Sequence, residues 1–208
     1  ISDHDGNVVL AMITTKSNAI NTGVLDGLNR AMDTTERIGG GLVIAGKGRM
    51  FGAGANLAFF LECIEADDTD KILYLLKYGQ QTFNRLCFSP IPTVAAPHGI
   101  TFGGSCELCL ACDRRVVDAN VVMGQTELQV GVTPGWGGLM RLLKRTMHGL
   151  NPHFMWGKTF GVAEAIKIIG PIYDLYSWIK TSRDGYHARD MGFLGSEDVI
   201  VPAQGLGQ

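Results

Sequence analysis

Short apolar runs alternate along the chain with segments in which apolar residues recur every three or four positions. Residues 8–14 and 41–46 are almost entirely apolar and predict buried strands. Between them, apolar residues at positions 24, 25, 28, 31 and 32 have the spacing of an amphipathic helix, and a polar loop is predicted at 18–21. The first third of the chain therefore indicates a strand–helix–strand order.

The same alternation continues to about residue 146. Further strands are predicted at 93–97, 115–118 and 121–123, and further helices at 72–86, 105–112 and 139–144. Glycine-rich loops follow strands at 46–54 and 99–104, and a third at 131–138 leads into a helix. This order predicts an α/β fold of layered sheets and helices, in which ligands bind at the carboxyl ends of the strands.

Beyond residue 146 the periodicity is weaker. Residues 163–169 and 173–180 are predicted to be helical, and the tail at 205–208 is predicted to be loose. We therefore expect a core domain at residues 1–146 and a helical C-terminal region at residues 147–208.

The composition is that of a globular protein, with 46% hydrophobic and 18% charged residues. The net charge is -2 and no run of lysine and arginine exceeds two residues, which argues against nucleic acid or an anionic membrane as a main partner. No apolar run approaches the length of a membrane span, and the chain begins with polar residues rather than a signal peptide. Reduced cysteines and a cytoplasmic location are expected, or the mitochondrial matrix if a transit peptide has been removed.

Two glutamates twenty positions apart lie in apolar, glycine-rich surroundings. Glu107 ends the segment 103–107 (GGSCE), and Glu127 ends the segment 125–127 (QTE). A carboxylate among apolar neighbours is costly unless it is paired, protonated or used, and two of them suggest an acid–base pair. The free N–H groups at the predicted helix start near Gly104 offer a place for a developing negative charge.

Each glutamate also has a purely structural interpretation. Glu107 is equally compatible with a buried carboxylate that neighbouring backbone satisfies. Glu127 taken alone is better explained as an acid in a first helical turn, where negative charge is favourable. The residues alone leave both alternatives open.

The three closely spaced cysteines suggest a metal site less strongly. Cys106, Cys109 and Cys112 have the spacing C-x2-C-x2-C, but Val116 stands where an iron–sulfur signature needs its fourth cysteine. We therefore expect no metal and interpret the three thiols as buried apolar side chains.

Two other motifs are incomplete. Ser105 with His98 as its base would suit a serine hydrolase, but Glu107 replaces the last glycine of the Gly-x-Ser-x-Gly nucleophile elbow. The loop 51–57 (FGAGANL) has approachable backbone N–H groups, yet it lacks the Gly-Lys-Ser/Thr ending of a phosphate loop and the Gly-x-Gly-x-x-Gly pattern.

Six segments together resemble the enoyl-CoA hydratase/isomerase (crotonase) family. They are 17–20 (SNAI), 51–57 (FGAGANL), 91–99 (IPTVAAPHG), 103–113 (GGSCELCLACD), 123–127 (MGQTE) and 131–138 (GVTPGWGG). The resemblance covers roughly residues 8–146 and is specific, because the order and spacing of all six segments fit the family.

The resemblance implies a spiral of ββα units with approximately perpendicular sheets and a helical C-terminal part. It implies assembly as a homotrimer or a dimer of trimers, with the C-terminal region at 147–208 helping to complete the pocket or the trimer. That region looks abbreviated. The segment 188–194 also resembles 3-hydroxyacyl-CoA dehydrogenases that carry a hydratase unit.

The resemblance further implies an acyl-CoA thioester substrate and no separate cofactor, since coenzyme A is part of the substrate. The thioester oxygen would accept hydrogen bonds from the backbone N–H groups of Ala55 and Gly104. Glu107 would activate water for attack at C3, and Glu127 would exchange the proton at C2, which gives reversible hydration of a trans-2-enoyl-CoA to a 3-hydroxyacyl-CoA. Substrate or CoA contacts are implied for Asn18, Ala19, Ala53, Asn56, Leu57, Pro134, Gly135 and Trp136.

Three residues depart from the family pattern. Asn56 stands where aspartate is common, Ser105 where glycine is common, and Trp136 where a small residue is usual, which would narrow the acyl pocket. An enoyl-CoA isomerase or another crotonase-type enzyme is the alternative within this family, and a non-catalytic CoA-binding protein is the alternative outside catalysis.

Overall fold

The computed structural model describes residues 2–4, 8–148 and 162–202. The strands within them are β1 (Ser2–His4), β2 (Val8–Ile13), β3 (Gly41–Gly46), β4 (Thr93–Ala95), β5 (Ile100–Phe102), β6 (Arg114–Asp118), β7 (Val122–Gly124) and β8 (Val199–Val201). The α-helices are α1 (Thr22–Ile38), α2 (Leu57–Glu65), α3 (Thr69–Cys87), α4 (Gly104–Ala111), α5 (Gly138–His148), α6 (Val162–Ser177) and α7 (Gly185–Asp190). Short 3-10 helices lie at Lys16–Asn18 and Glu127–Val130.

The strands form two sheets. The larger sheet has the order β1-β2-β3-β4-β6-β8, and the smaller consists of β5 and β7. β1 is antiparallel to β2, and every other pair of neighbours is parallel. Parallel neighbours need crossover connections, and helices supply most of them, as the predicted alternation requires.

The first crossover shows how the sequence produces this layering. β2 and β3 pair from Val8↔Gly41 to Ile13↔Gly46, and α1 connects them. The Asn21 side chain accepts a 3.0 Å hydrogen bond from the Val24 N–H and so caps the start of α1. Gly39, with φ of 68°, ends the helix in the left-handed conformation that glycine adopts without strain. The apolar face of α1 is buried through Leu25, Leu28, Ala31 and Met32.

The helical segments predicted at 163–169 and 173–180 belong to one helix, α6, which confirms helix at 163–169 and 173–177 but ends at Ser177, before 178–180. Pro171 lies inside it without ending it. Buried Ile168 and Leu175 lie two turns apart on either side of the proline, so one apolar face packs continuously although one backbone hydrogen bond is lost. The tail at 205–208 lies outside the described residues.

Several short elements had no clear sequence signal. α2 carries exposed Leu57, Leu61 and Ile64, so its apolar residues show no single buried face. β1, β8 and α7 span three to six residues each. β5 lies inside the predicted glycine loop at 99–104, and the predicted polar loop at 18–21 begins on the 3-10 helix Lys16–Asn18. Among the helices of the described residues, none combines the length and apolarity needed to cross a bilayer.

Candidate active site

The pairing of β5 with β7 brings the two glutamate segments together. Phe102 is the register partner of Gly124, and the Gly103 N–H donates a 2.9 Å hydrogen bond to the Gly124 carbonyl. Both strands therefore end at the same edge, where α4 and the segment leading to Glu127 begin. A β-carbon on Gly103 would stand 3.4 Å from Glu127 Oε1, so the second carboxylate faces the start of the helix that carries the first.

Glu107 lies in the first turn of α4 and is 2% exposed. Its Oε1 accepts hydrogen bonds from the backbone N–H groups of Trp136 at 2.9 Å and Gly138 at 2.7 Å. Gly138 begins α5, so the carboxylate also meets the positive end of a helix. Burial raises the pKa of Glu107 above its ordinary value, while these two hydrogen bonds and the charge of Arg141 oppose that rise.

Glu127 is the first residue of the 3-10 helix Glu127–Val130 and is half-buried. Burial, and then the negative charge of Glu107, raises its pKa to about 7. A carboxyl group with that pKa both donates and accepts a proton at neutral pH, which suits general acid–base work. Glu107 and Glu127 are thus two interacting carboxyl groups in different surroundings, which favour ionisation of Glu107 over that of Glu127.

Gln125 lies between the two carboxylates, a role that the sequence did not reveal. Its side chain is fully buried, and in the amide orientation that satisfies both of its polar atoms the nitrogen donates to the Glu127 oxygens at 3.1 and 3.3 Å. A β-carbon on Gly138 would stand 3.0 Å from Gln125 Cδ and 2.8 Å from Glu107 Cγ. The only available signal was a polar amide in an otherwise apolar segment.

Two backbone donors meet beside these carboxylates. A β-carbon on Gly104 would stand 3.5 Å from the Ala55 nitrogen, and one on Gly54 would stand 3.2 Å from the Gly104 nitrogen. Within the described residues, neither the Ala55 N–H nor the Gly104 N–H donates to a protein acceptor. The two predicted donors are therefore adjacent and available to one oxygen atom.

The two predicted CoA-contacting loops lie side by side. The Ala53 N–H donates to the Ser17 carbonyl at 3.1 Å, and the Asn56 N–H donates to the Ile20 carbonyl at 2.9 Å. These bonds bring Asn18 and Ala19 next to the exposed Ala53 and Leu57. The Asn18 side chain itself is buried and donates to the carbonyls of Lys47 and Met50, so it supports the neighbouring loop.

The third predicted binding segment, Pro134, Gly135 and Trp136, contacts Glu107 through the Trp136 N–H. Arg141, which the sequence did not single out, holds it in place. This buried guanidinium donates to the Trp136 carbonyl at 2.6 Å and to Asn84 Oδ1 at 3.0 Å. Arg141 follows Gly137 by one helical turn, and that spacing was its only sequence signal.

The structure shows what the three cysteines and the Ser105 and His98 side chains contact. Cys106 and Cys109 in α4 and Cys112 directly after it are buried free thiols. In the described part of the chain no three His, Cys, Asp or Glu side chains form a cluster that fits a metal ion. His98 contacts the carbonyls of Gly48 at 2.9 Å and Ala96 at 3.4 Å. The Ser105 hydroxyl instead accepts a hydrogen bond from the Gly54 N–H, so the structure does not form a Ser–His pair.

Comparison with known proteins supplies independent information. The family model described as "Enoyl-CoA hydratase/isomerase" matches residues 6–170. A probable enoyl-CoA hydratase of Bacillus subtilis (strain 168) is 32% identical over 205 residues, which cover 95% of this chain and 70% of that protein. A probable 3-hydroxyacyl-CoA dehydrogenase of the same strain is 32% identical over 199 residues, covering 95% of this chain but only 24% of that protein.

A solved structure supports the architecture. An enoyl-CoA hydratase from Polaromonas sp. JS666 superposes with a TM-score of 0.77 at 20% identity, covering 99% of this chain and 71% of that one. This likeness confirms the predicted α/β fold class.

Proposed function

The chain belongs to the enoyl-CoA hydratase/isomerase family, and we propose that it catalyses the reversible hydration of a trans-2-enoyl-CoA to a 3-hydroxyacyl-CoA. One observation carries the proposal: two buried or half-buried carboxylates lie beside two backbone N–H groups that donate to no acceptor in the described part of the chain, near the edge where β5 and β7 end. Hydration of an enoyl thioester needs both kinds of group: hydrogen-bond donors that stabilise charge on the thioester oxygen, and acid–base groups that transfer protons at C2 and to or from water.

In the proposed reaction the thioester oxygen accepts hydrogen bonds from the Ala55 and Gly104 N–H groups. Glu107, ionised and held by Trp136 and Gly138, takes a proton from the water that attacks C3. Glu127, protonated at the start, gives its proton to C2, and its pKa of about 7 supports this role. The two glutamates together carry one proton before the reaction, on Glu127, and one after it, on Glu107. Dehydration is the reverse of these transfers.

The test is turnover of purified protein, measured as loss of the conjugated enoyl-thioester absorbance. Each positioned acid or base contributes roughly 10²–10⁴-fold, so Glu107→Gln and Glu127→Gln should each lose activity by about that factor. Glu62→Gln, at an exposed position on α2, is the matched control. If the two site variants retain activity close to wild type, the proposed roles are wrong.

Isomerisation of the double bond is the second candidate. It needs only proton transfer at carbon, and the pKa of Glu127 suits that step without any water. Product analysis separates the two reactions, since a shifted double bond without incorporated water would favour isomerisation.

The larger setting of the reaction is also a proposal. The resemblance to a probable 3-hydroxyacyl-CoA dehydrogenase, of which this chain spans 24%, supports a hydratase unit that hands its 3-hydroxyacyl product to such an activity. Assembly as a homotrimer or dimer of trimers is supported by exposed apolar side chains on α6, namely Ile166, Ile169 and Tyr173. Light scattering after size-exclusion chromatography measures the assembly.

A further inference from the structure

The indole ring of Trp136 occupies the space between α3 and α4. The side chain is 2% exposed and packs edge to face on Phe83, with ring centroids 5.3 Å apart. A β-carbon on Gly104 would stand 2.5 Å from the ring edge, and one on Gly79 would overlap the indole nitrogen. The ring fits only because both helices present glycine to it.

This position is at the predicted reacting centre. The ring edge and the Ala55 nitrogen both lie within 3.5 Å of the point where a β-carbon of Gly104 would stand. The backbone N–H of Trp136 also holds Glu107, the carboxylate assigned to the water that attacks C3. With the thioester oxygen at the proposed Ala55 and Gly104 donors, the indole ring lies beside the bound substrate.

Stability alone does not explain the indole. In the described part of the chain, its Nε1–H is buried and has no hydrogen-bond partner. An unpaired buried donor is costly, and such groups in native proteins call for an explanation. The aromatic ring fills space at that cost, which supports a role in shaping the site.

An open surface cleft lies beside the segment 134–137. It has a volume of about 370 Å³, and its lining includes Trp136, Gln80, Asn84, Pro134 and Leu139. Neither Glu107 nor Glu127 lines it. Trp136 therefore contacts Glu107 through its backbone N–H and also lines this cleft.

We propose that Trp136 is the residue that restricts this enzyme to short-chain enoyl-CoA substrates. The inference rests on the proposed hydration for its kinetic test, but it also predicts binding independently of turnover. A hydrophobic pocket discriminates by roughly 10–200-fold per misfitting group, so one side chain is sufficient for the selectivity.

The experiment compares Trp136→Ala and Trp136→Phe with wild type on crotonyl-CoA and trans-2-decenoyl-CoA. The expected result is a ratio of kcat/KM, decenoyl over crotonyl, that rises at least about ten-fold in the alanine variant and less in the phenylalanine variant. Trp178→Ala removes an exposed indole and serves as control, with an unchanged ratio. An unchanged ratio in Trp136→Ala would overturn the proposal.

Binding of saturated butyryl-CoA and decanoyl-CoA by calorimetry is the second measurement. If wild type hydrates no enoyl-CoA, the proposed function fails, yet a decanoyl-over-butyryl affinity ratio that rises at least about ten-fold in Trp136→Ala would still support the size restriction. Equal ratios in both proteins would reject it.

Folding is tested by a double-mutant cycle. Gly79→Ala should destabilise wild type, because the new methyl group overlaps the indole, and should be tolerated in Trp136→Ala. An additive result would show that the ring does not fill the space assigned to it and would contradict the inference.

Discussion

The backbone N–H of Gly54 donates a 3.0 Å hydrogen bond to the hydroxyl of Ser105. Gly54 precedes Ala55 and Ser105 follows Gly104, so this single bond ties together the two segments that carry the predicted oxyanion donors. The hydroxyl is fully buried, and a β-carbon on Gly52 would overlap it. Ser105 therefore fixes the separation of two donors that come from distant parts of the chain.

Replacing Ser105 by alanine should leave the Gly54 N–H buried without a partner. We expect a loss of roughly 1–3 kcal/mol in the free energy of unfolding and a decrease in kcat of about ten-fold, with a smaller change in KM, since the donors act mainly on the transition state. Denaturant titration and steady-state kinetics measure both effects. Cys109→Ala, a buried change in the same helix, should reduce stability without the kcat effect. Unchanged kcat in Ser105→Ala would contradict the positioning role.

The pH dependence of hydration follows from the proton on Glu127. The proposed hydration needs that carboxyl protonated, and its pKa is about 7, so kcat/KM should decrease about ten-fold per pH unit well above pH 7. His98→Gln tests the alternative that a histidine causes this decrease, since histidines commonly titrate in the same range. The decrease should persist in that variant, and its disappearance would contradict the assignment of the decrease to Glu127.

The same shift predicts a change in stability. The pKa of Glu127 is raised in the folded state from 4.5 to about 7, so its ionisation disfavours the folded state. The contribution of Glu127 to the free energy of unfolding is fully present below about pH 4.5 and is lost as the pH rises through 7. The loss is roughly 2 kcal/mol after allowance for solvent exposure.

Glu127→Gln removes that loss, so its unfolding free energy relative to wild type should be higher at pH 8 than at pH 5. Denaturant titration at the two pH values measures the difference. Glu62→Gln should change both values by the same amount. A Glu127→Gln effect that is equal at both pH values would mean that the carboxyl is not titrating as described.

Arg141 should control the pKa of Glu107 through its charge and through the Trp136 carbonyl that it holds. Arg141→Met removes a positive charge that favours the ionised Glu107 carboxylate, so the pKa of Glu107 should rise. The decrease of kcat/KM at low pH, where Glu107 becomes protonated, should therefore move to higher pH. Arg141→Lys keeps the positive charge, so its profile should shift less than that of Arg141→Met, although lysine cannot make both of the arginine's hydrogen bonds. Lys144→Met, at an exposed site on α5, is the control. An acid limb that does not move in Arg141→Met would exclude this coupling.

The sequence carried the α/β order and the candidate glutamates, but not how they meet. The strand that brings them together, β5, is three residues long and lies in a glycine-rich segment, so its pairing with β7 left no periodic signal. The site partners Gln125 and Arg141 act through contacts with residues distant in sequence, which a local pattern does not contain. Pro171 lies inside α6, and packing on both sides of it maintains the helix.

The proposed hydration requires Glu107 and Glu127 to add water to an enoyl thioester. The most direct measurement is turnover of crotonyl-CoA in ¹⁸O-labelled water, with products identified by mass. Wild type should form a 3-hydroxyacyl-CoA that carries one ¹⁸O atom on C3, and both glutamine variants should form it roughly 10²–10⁴-fold more slowly. An unlabelled product with a shifted double bond would contradict the proposed hydration. So would labelled product formed by either variant at close to the wild-type rate.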